Sequence, residues 1–251
     1  MGQRAAGNSH RDRILREEVA WGCRILHYFG HGDVTLGHVS ARRPGTDSMW
    51  MKGKGIGLDE VTAAQVVLID FDGRRLAGTM PLHLELTLHS EVYKVRPDVG
   101  AVVHTHAPHT TALGASGQPL QIVSHDGILF VDGVALFNET PELITERGQG
   151  AAIAAALGPR KAVILKNHGV LVVGPTVPWA VFTSVTLERA AMMQLLTRGL
   201  GIPQPITDRV AHGMYNSKYN DVLLSEYWAY FKRTLRARGL ARGVWTTRDG
   251  R

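Results

Sequence analysis

Residues 81–109 read PLHLELTLHSEVYKVRPDVGAVVHTHAPH. The first half, Leu82 to Val95, carries apolar residues at helical spacing and ends at Arg96-Pro97-Asp98, since a proline disfavours helix in the residue before it. Ala101-Val102-Val103 then starts an apolar, β-branched strand that runs into His104-Thr105-His106. Helix followed by buried strand is ordinary core construction. The titratable groups are not: five of the chain's 12 histidines fall here, with Glu85 and Glu91.

Outward from this stretch, residues 10–29 place Ile14, Val19, Cys23, Ile25, Leu26 and Phe29 on an amphipathic helix that Gly30 stops. Short strands and Gly-rich turns follow, with a brief helix expected at 60–64, a strand at 66–71 and a hairpin turn at Asp72-Gly73. Beyond 109, the pattern predicts a helix starting at Thr110, further short strands between Ile122 and Phe137, and an Ala-rich helix from Glu142 to Leu157. Strands at 162–166 and 170–173 are joined by Asn167-His168-Gly169, and a long helix spans Pro178 to Leu200. With no regular βαβ repeat, these elements favour one α/β domain in which helices cover a mixed or antiparallel sheet. The expected organisation is a flexible N-terminus (1–9), a catalytic domain (10–232) and a basic C-terminal tail (233–251).

A chain of 251 residues can bury a self-sufficient core. Its net charge of +6 is concentrated at the two ends and no basic helix with interleaved aromatics lies between them, so no nucleic-acid partner is expected. Cys23 is the single cysteine and lies on an apolar helical face, which points to a buried, inert thiol in a reducing compartment. The N-terminus lacks the apolar run of a signal peptide and no apolar window is long enough to span a bilayer; a cytoplasmic protein with no membrane partner is the expectation.

Alternate strand residues point to one side, so His104 and His106 present two imidazoles to a common face. Two neutral imidazoles one strand step apart suit a transition metal, although a solvated sheet face explains them equally. His168 sits at a turn that needs only its Asn167 and Gly169, so either a ligand or an exposed loop histidine fits. Glu85, on the same helical face as His89, would point inward and need a partner, because an unpaired buried carboxylate is costly.

Glu85, His104-Thr105-His106, KNHG at 166–169 and GHVSAR at 37–42 together resemble the class II aldolase/adducin family, over roughly residues 12–200. The resemblance implies a single three-layer α/β/α domain with a mostly antiparallel central sheet, assembled as a homotetramer with sites between subunits. It implies a divalent metal, Zn2+ first with Mn2+ or Fe2+ as alternatives, held by His104, His106 and His168 with Glu85 as ligand and acid/base. His89 would relay or orient Glu85. A neighbouring subunit would contribute His125 and a C-terminal tyrosine from among Tyr215, Tyr219 and Tyr227, with Tyr219 the candidate. Glu188 is expected as an ion-pair partner, and His109 in a supporting or surface role.

Departures from the family pattern point to the substrate. Sugar-phosphate members use an Asn in a GN-x-S loop, a Thr-Gly pair and two serines before the catalytic Glu; here the matching positions are His38, Lys54-Gly55 and His83-Leu84. His38, Ser40, Lys54, Gly55, His83 and His125 are therefore the expected substrate residues, suited to a carboxylate rather than a phosphate. The expected reaction is decarboxylation of a non-phosphorylated hydroxyaryl or keto acid. The alternatives are aldol cleavage of a small hydroxy carbonyl compound, Fe2+-dependent oxygenation, and a non-catalytic adducin-like binding role.

Overall fold

The computed structural model describes the backbone of residues 2–244 and the side chains of residues 10–244. The chain opens with helix α1 (Gly2–Leu26), whose inner face buries Val19, Ala20, Cys23, Ile25 and Leu26. Gly22 makes that docking possible: a Cβ there would lie 2.9 Å from Val181 Cγ2. Burial pushes the Cys23 thiol up to about 12, so it packs as a small hydrophobe. A π-helical turn, His27–His31, ends the helix with Gly30 at φ 88°.

Strands β1 (His38–Arg42), β2 (Ser48–Lys52), β3 (Val66–Asp70) and β4 (Arg75–Ala77) form a meander. Helix α2 (Thr87–Val95) leads to β5 (Ala101–Thr105), followed by α3 (Pro108–Ser116), β6 (Ala135–Phe137) and α4 (Arg147–Leu157). Then come β7 (Ala162–Leu165), β8 (Gly169–Gly174) and three helices, α5 (Val177–Leu200), α6 (Asp208–Lys218) and α7 (Asp221–Ala237). The eight strands make one open sheet in the order β4-β3-β2-β1-β5-β8-β7-β6. It is mixed: β6 and β7 run parallel, while the other ladders are antiparallel, which refines the expected mostly antiparallel sheet.

Strand alternation sorts the core into two layers. Val39, Ala41, Ala101 and Val103 pack beneath α1, α5 and α7; Met49, Met51, Val102 and Leu171 pack beneath α2 and α4. His38 and Ser40 share the α2 side of β1, and His104 stands directly opposite His38 in the β1–β5 register.

Several expected boundaries move. The helix predicted from Leu82 starts at Thr87, and Leu84–Leu86 form a turn, so Glu85 is not a helical residue. Between 122 and 137 the only strand is β6, preceded by a 3-10 turn at Gly127–Phe130. The helix predicted from Glu142 begins at Arg147, because Glu146 caps it in a reciprocal pair with Gln149. The domain boundary expected at 232 falls inside α7, and Leu235, Ala241 and Val244 beyond it are buried. At the other end α1 takes in residues 2–9; Met1 and 245–251 lie outside the described residues. Among the described residues no helix is long and apolar enough to cross a membrane.

Candidate metal centre

Four elements converge on the end of β5. His104 is its penultimate residue, and its ring is fully buried on the α2 side. Its Nδ1–H donates to the Val170 carbonyl at 3.1 Å, which fixes the tautomer and leaves Nε2 free. That Nε2 is buried without a hydrogen-bond partner. His106, one strand step on, donates its Nδ1–H to the Asp33 carboxylate at 2.9 Å, so its Nε2 is free as well. His168 stands in the turn between β7 and β8, which the His168 N–H closes onto the Leu165 carbonyl, with Asn167 at φ 59°. The ligand atoms of His104, His106 and His168 lie within 4.8 Å of one another.

Glu85 completes the group from the turn before α2. Its Oε1 accepts the Ile144 N–H at 3.0 Å and lies 3.4 Å from His168 Nε2. Its Oε2 lies 3.7 Å from His104 Nε2 and 3.8 Å from His38 Nε2. Thr87 Oγ1 donates to the Ile144 carbonyl, which stitches the 144 segment to this turn and holds the carboxylate in place. Burial raises the Glu85 carboxyl above its usual range, while the Ile144 N–H and His106 pull it down. Burial also drives the His104 imidazole well below its ordinary value and His168 to about 4, so both are neutral and have a lone pair to offer.

This donor set fits a divalent transition metal. Convergent imidazoles, two of them with tautomers fixed by Val170 and Asp33, a carboxylate between them, and a buried His104 Nε2 left without a partner are what such an ion satisfies. In the absence of an ion, that orphaned nitrogen is an unexplained cost.

The remaining expected residues divide into two groups. His38 is buried beside Glu85, and the buried His83 and His89 pack on it, with the His38 ring 4.5 Å from that of His83 and 4.8 Å from that of His89. Ser40, expected to meet substrate, is instead fully buried with its hydroxyl bonded to His89 and Tyr93. Arg42 is structural, donating to the carbonyls of Val99, Tyr93 and Arg96. Lys54 and Gly55 sit in an exposed turn, with Gly55 at φ 89°. His125 is exposed, and its carbonyl accepts the Tyr219 hydroxyl at 2.9 Å. Tyr219 lines a separate cavity of about 310 Å3 with Phe182 and Tyr227, so within one chain neither His125 nor Tyr219 joins the Glu85 group.

Three contributors were not anticipated. Lys52, not Lys54, is the buried cation: its side chain is fully enclosed, and Nζ donates to the Thr35 carbonyl at 3.1 Å and lies 3.4 Å from His83 Nε2. The signal was the strand alternation of SMWMK, which puts Lys52 on the side of Trp50. Asp33 lies in a Gly-rich loop without a sequence signature, beside Val34 at φ 48°. Tyr93 reads simply as a core aromatic of α2. Glu188, expected as an ion-pair partner, does pair with His109 at 2.6 Å, and it also accepts the N–H groups of His109 and Thr110 at the start of α3. It thereby anchors the helix that follows β5.

With this geometry in view, comparisons with known proteins are specific. The family described as Class II Aldolase and Adducin N-terminal domain matches residues 17–195. The 3,4-dihydroxyphthalate decarboxylase of Arthrobacter keyseri is 32% identical over 199 residues, covering 74% of this chain and 79% of that one. The L-fuculose phosphate aldolase of Escherichia coli O6:H1 is 29% identical over 196 residues, covering 78% and 89%. Among solved structures, L-fuculose 1-phosphate aldolase from Glaciozyma antarctica PI12 superposes with a TM-score of 0.81 at 27% identity, covering 92% of this chain and 93% of that one. The chain belongs to the class II aldolase and adducin family.

Proposed function

We propose that this protein is a divalent-metal-dependent lyase that breaks a carbon–carbon bond, by decarboxylating a non-phosphorylated hydroxyaryl or keto acid. The observation that carries the reading is the Glu85 carboxylate lying 3.4–3.8 Å from the Nε2 atoms of His168, His104 and His38, with His104 Nε2 otherwise unpartnered. His104, His106 and His168 would hold the ion, with Zn2+ the first choice for three nitrogens. When bound, it supplies Lewis acidity that stabilises negative charge developing on a substrate oxygen beside the bond that breaks.

The chain's own residues do the rest. As the C–COO− bond breaks, CO2 leaves and the electron pair stays on carbon, delocalised towards that oxygen. A proton must then reach the carbon. Glu85 is the carboxyl that faces the Nε2 atoms of His168, His104 and His38, whereas Asp33 is bound to the far nitrogen of His106, and burial favours the protonated form of Glu85, so Glu85 is the group that delivers the proton. The buried positive charge of Lys52 gives the His83 side of the site a bias towards anions. The hydroxyls that serve phosphate in sugar-phosphate members have no counterpart at His83 and Leu84. Similarity to a dihydroxyphthalate decarboxylase supports the same substrate class. His125 and Tyr219, remote from the Glu85 group within one chain, are proposed to serve the site of a neighbouring copy in a homotetramer.

Aldol cleavage is the second reading, favoured by the likeness to L-fuculose phosphate aldolases, and would leave the same charge beside the same ion. Two measurements test the proposal. Protein purified without chelator should contain roughly one Zn2+, Mn2+ or Fe2+ per chain, and the His104→Ala/His106→Ala double variant should lose it. With metal in place, a panel of hydroxyaryl and keto acids should release CO2, and Glu85→Gln should slow release at least about 100-fold. Metal-free wild type would sink the whole reading, while aldehyde release from hydroxy carbonyl compounds without CO2 would replace decarboxylation by aldol cleavage.

A further inference from the structure

Two overlapping sets of side chains can compete for an ion. The ligand atoms of His104, His106 and His168 cluster within 4.8 Å, and so do those of His38, Glu85 and His104. What His38 offers depends on the residues behind it. His38 Nδ1 lies 2.7 Å from His89 Nε2, His89 Nδ1 lies 2.6 Å from Ser40 Oγ, and Ser40 Oγ lies 2.8 Å from Tyr93 Oη. No member of this chain is more than 2% exposed, so it ends in the core and not at solvent.

The far end sets its direction. Tyr93 has one proton, and a buried hydroxyl proton without an acceptor is a full desolvation cost. Ser40 Oγ is the one acceptor within hydrogen-bond reach of the phenol among the described residues. The phenol proton therefore goes to Ser40 Oγ, and the Ser40 proton goes to His89 Nδ1. His89 must then carry its proton on Nε2 and donate it to His38 Nδ1. His38 in turn carries its proton on Nε2, the atom 3.8 Å from Glu85 Oε2. Running the relay backwards would strand the Tyr93 proton in the core.

We infer that Tyr93, Ser40 and His89 form a one-way hydrogen-bond relay that locks His38 as an Nε2–H donor, which excludes His38 from the metal's ligands and makes it the donor to a substrate anion held beside Glu85. A protonated imidazole nitrogen has no lone pair to give an ion. His104, with Nδ1–H committed to Val170, is the opposite case on the facing strand: the two rings stand across from each other in register, one presenting a lone pair and the other a proton. Tyr93, Ser40 and His89 are positioning residues, and His38 is the group that meets substrate. The inference rests on the metal-centre reading for the identity of the ligands, but the tautomer itself does not.

The test is two-bond 1H–15N correlation of histidine side chains in the full chain, with and without Zn2+. His38 and His89 should both give the pattern of a single Nε2–H tautomer, unchanged by Zn2+. A His38 signal with the proton on Nδ1, or a His38 Nε2 that shifts to a metal-bound position when Zn2+ is added, overturns the proposal. Ser40→Ala should replace the single His38 tautomer by a mixture, and Ser40→Thr, which keeps the hydroxyl, should restore it; an unchanged single tautomer in Ser40→Ala counts against the relay. Loading with Co2+ gives the second arm: His38→Ala should keep the wild-type visible bands, while His168→Ala should lose or change them. Loss of the bands in His38→Ala would make His38 a ligand and overturn the proposal. Failure of the metal-centre reading looks different, because wild type would then bind no Co2+ at all.

Discussion

A carboxylate behind a metal-facing imidazole does two things: it orients the ring, and it makes the far nitrogen a better donor by drawing on the near N–H. Asp33 stands in that relation to His106, at 2.9 Å, on a side chain that is 40% exposed. The exposure matters, because it means the contact contributes little to stability and its loss can be read cleanly. Asp33→Asn should weaken Zn2+ binding about 10- to 100-fold in competition with a chromophoric chelator, while the thermal midpoint of metal-free protein stays within about 1 °C. An affinity equal to wild type would show that the Val170 and Glu85 contacts alone set the geometry. His104 needs no such helper, since its Nδ1–H is bound to the Val170 carbonyl inside the sheet. The two candidate ligands at the end of β5 are thus held by different means, one by backbone and one by a loop carboxylate.

At the scale of elements, the site depends on how closely the β7–β8 turn approaches the end of β5. Gly169 is the contact point: a Cβ there would fall 2.6 Å from His106 Cδ2 and 2.6 Å from the Thr105 carbonyl oxygen. The backbone cannot yield without separating β8 from β5, so the ring or the turn must move. Gly169→Ala should therefore destabilise the fold by about 1–3 kcal/mol in urea unfolding and weaken Zn2+ binding at least about 10-fold. Wild-type affinity in that variant would show the turn to be less constrained than the packing implies. The same turn illustrates which features sequence alone reveals. The alternation of His104 and His106 and the Asn-His-Gly turn are local patterns, and they place the three candidate ligands on β5 and on the β7–β8 turn. Glu85 was found by its residue type but assigned to a helix it does not belong to. Its turn is fixed by the N–H of Ile144, a residue 59 positions away, and no local period encodes that contact. The match to the family's Thr-Gly pair points to Lys54, on the far side of Gly53; only the β2 register, which sets Lys52 on the buried Trp50 side, marks Lys52 as the enclosed cation. Tyr93 carried no polar signal at all until α2 was docked against β1.

For the molecule as a whole, enclosing so many imidazoles ties stability to pH. His31, His38, His89 and His104 are fully buried, and burial lowers each of them: His31 to about 4, His89 to about 3, and His38 and His104 well below the ordinary value. In the unfolded chain the same groups titrate near about 6.5. Below that pH the unfolded state binds protons that the folded state refuses, so folding stability falls as pH falls. The loss starts near the unfolded value and continues down to the folded ones. Each fully buried histidine contributes a slope of up to about 1.4 kcal/mol per pH unit, and four together up to about 5.5 kcal/mol per unit. Glu85 works in the other direction, because a carboxyl raised by burial takes up its proton earlier in the folded state, and it offsets part of that slope. Glu188 does not add to the loss in this window. Burial pushes its carboxyl up, but the His109 and Thr110 donors hold it below its usual range, so its contribution disappears only at more acidic pH. With total stabilities of about 5–15 kcal/mol for a domain, metal-free protein should begin to unfold within about two units below pH 6.5, where proteins that titrate only carboxylates remain folded. Urea midpoints of chelator-treated protein measured from pH 7.5 to pH 5 check this directly. They should hold steady above about pH 7 and drop steeply below 6.5. A flat profile down to pH 5 would mean that these imidazoles reach water by local opening, and that the buried histidine cluster is looser than its packing indicates.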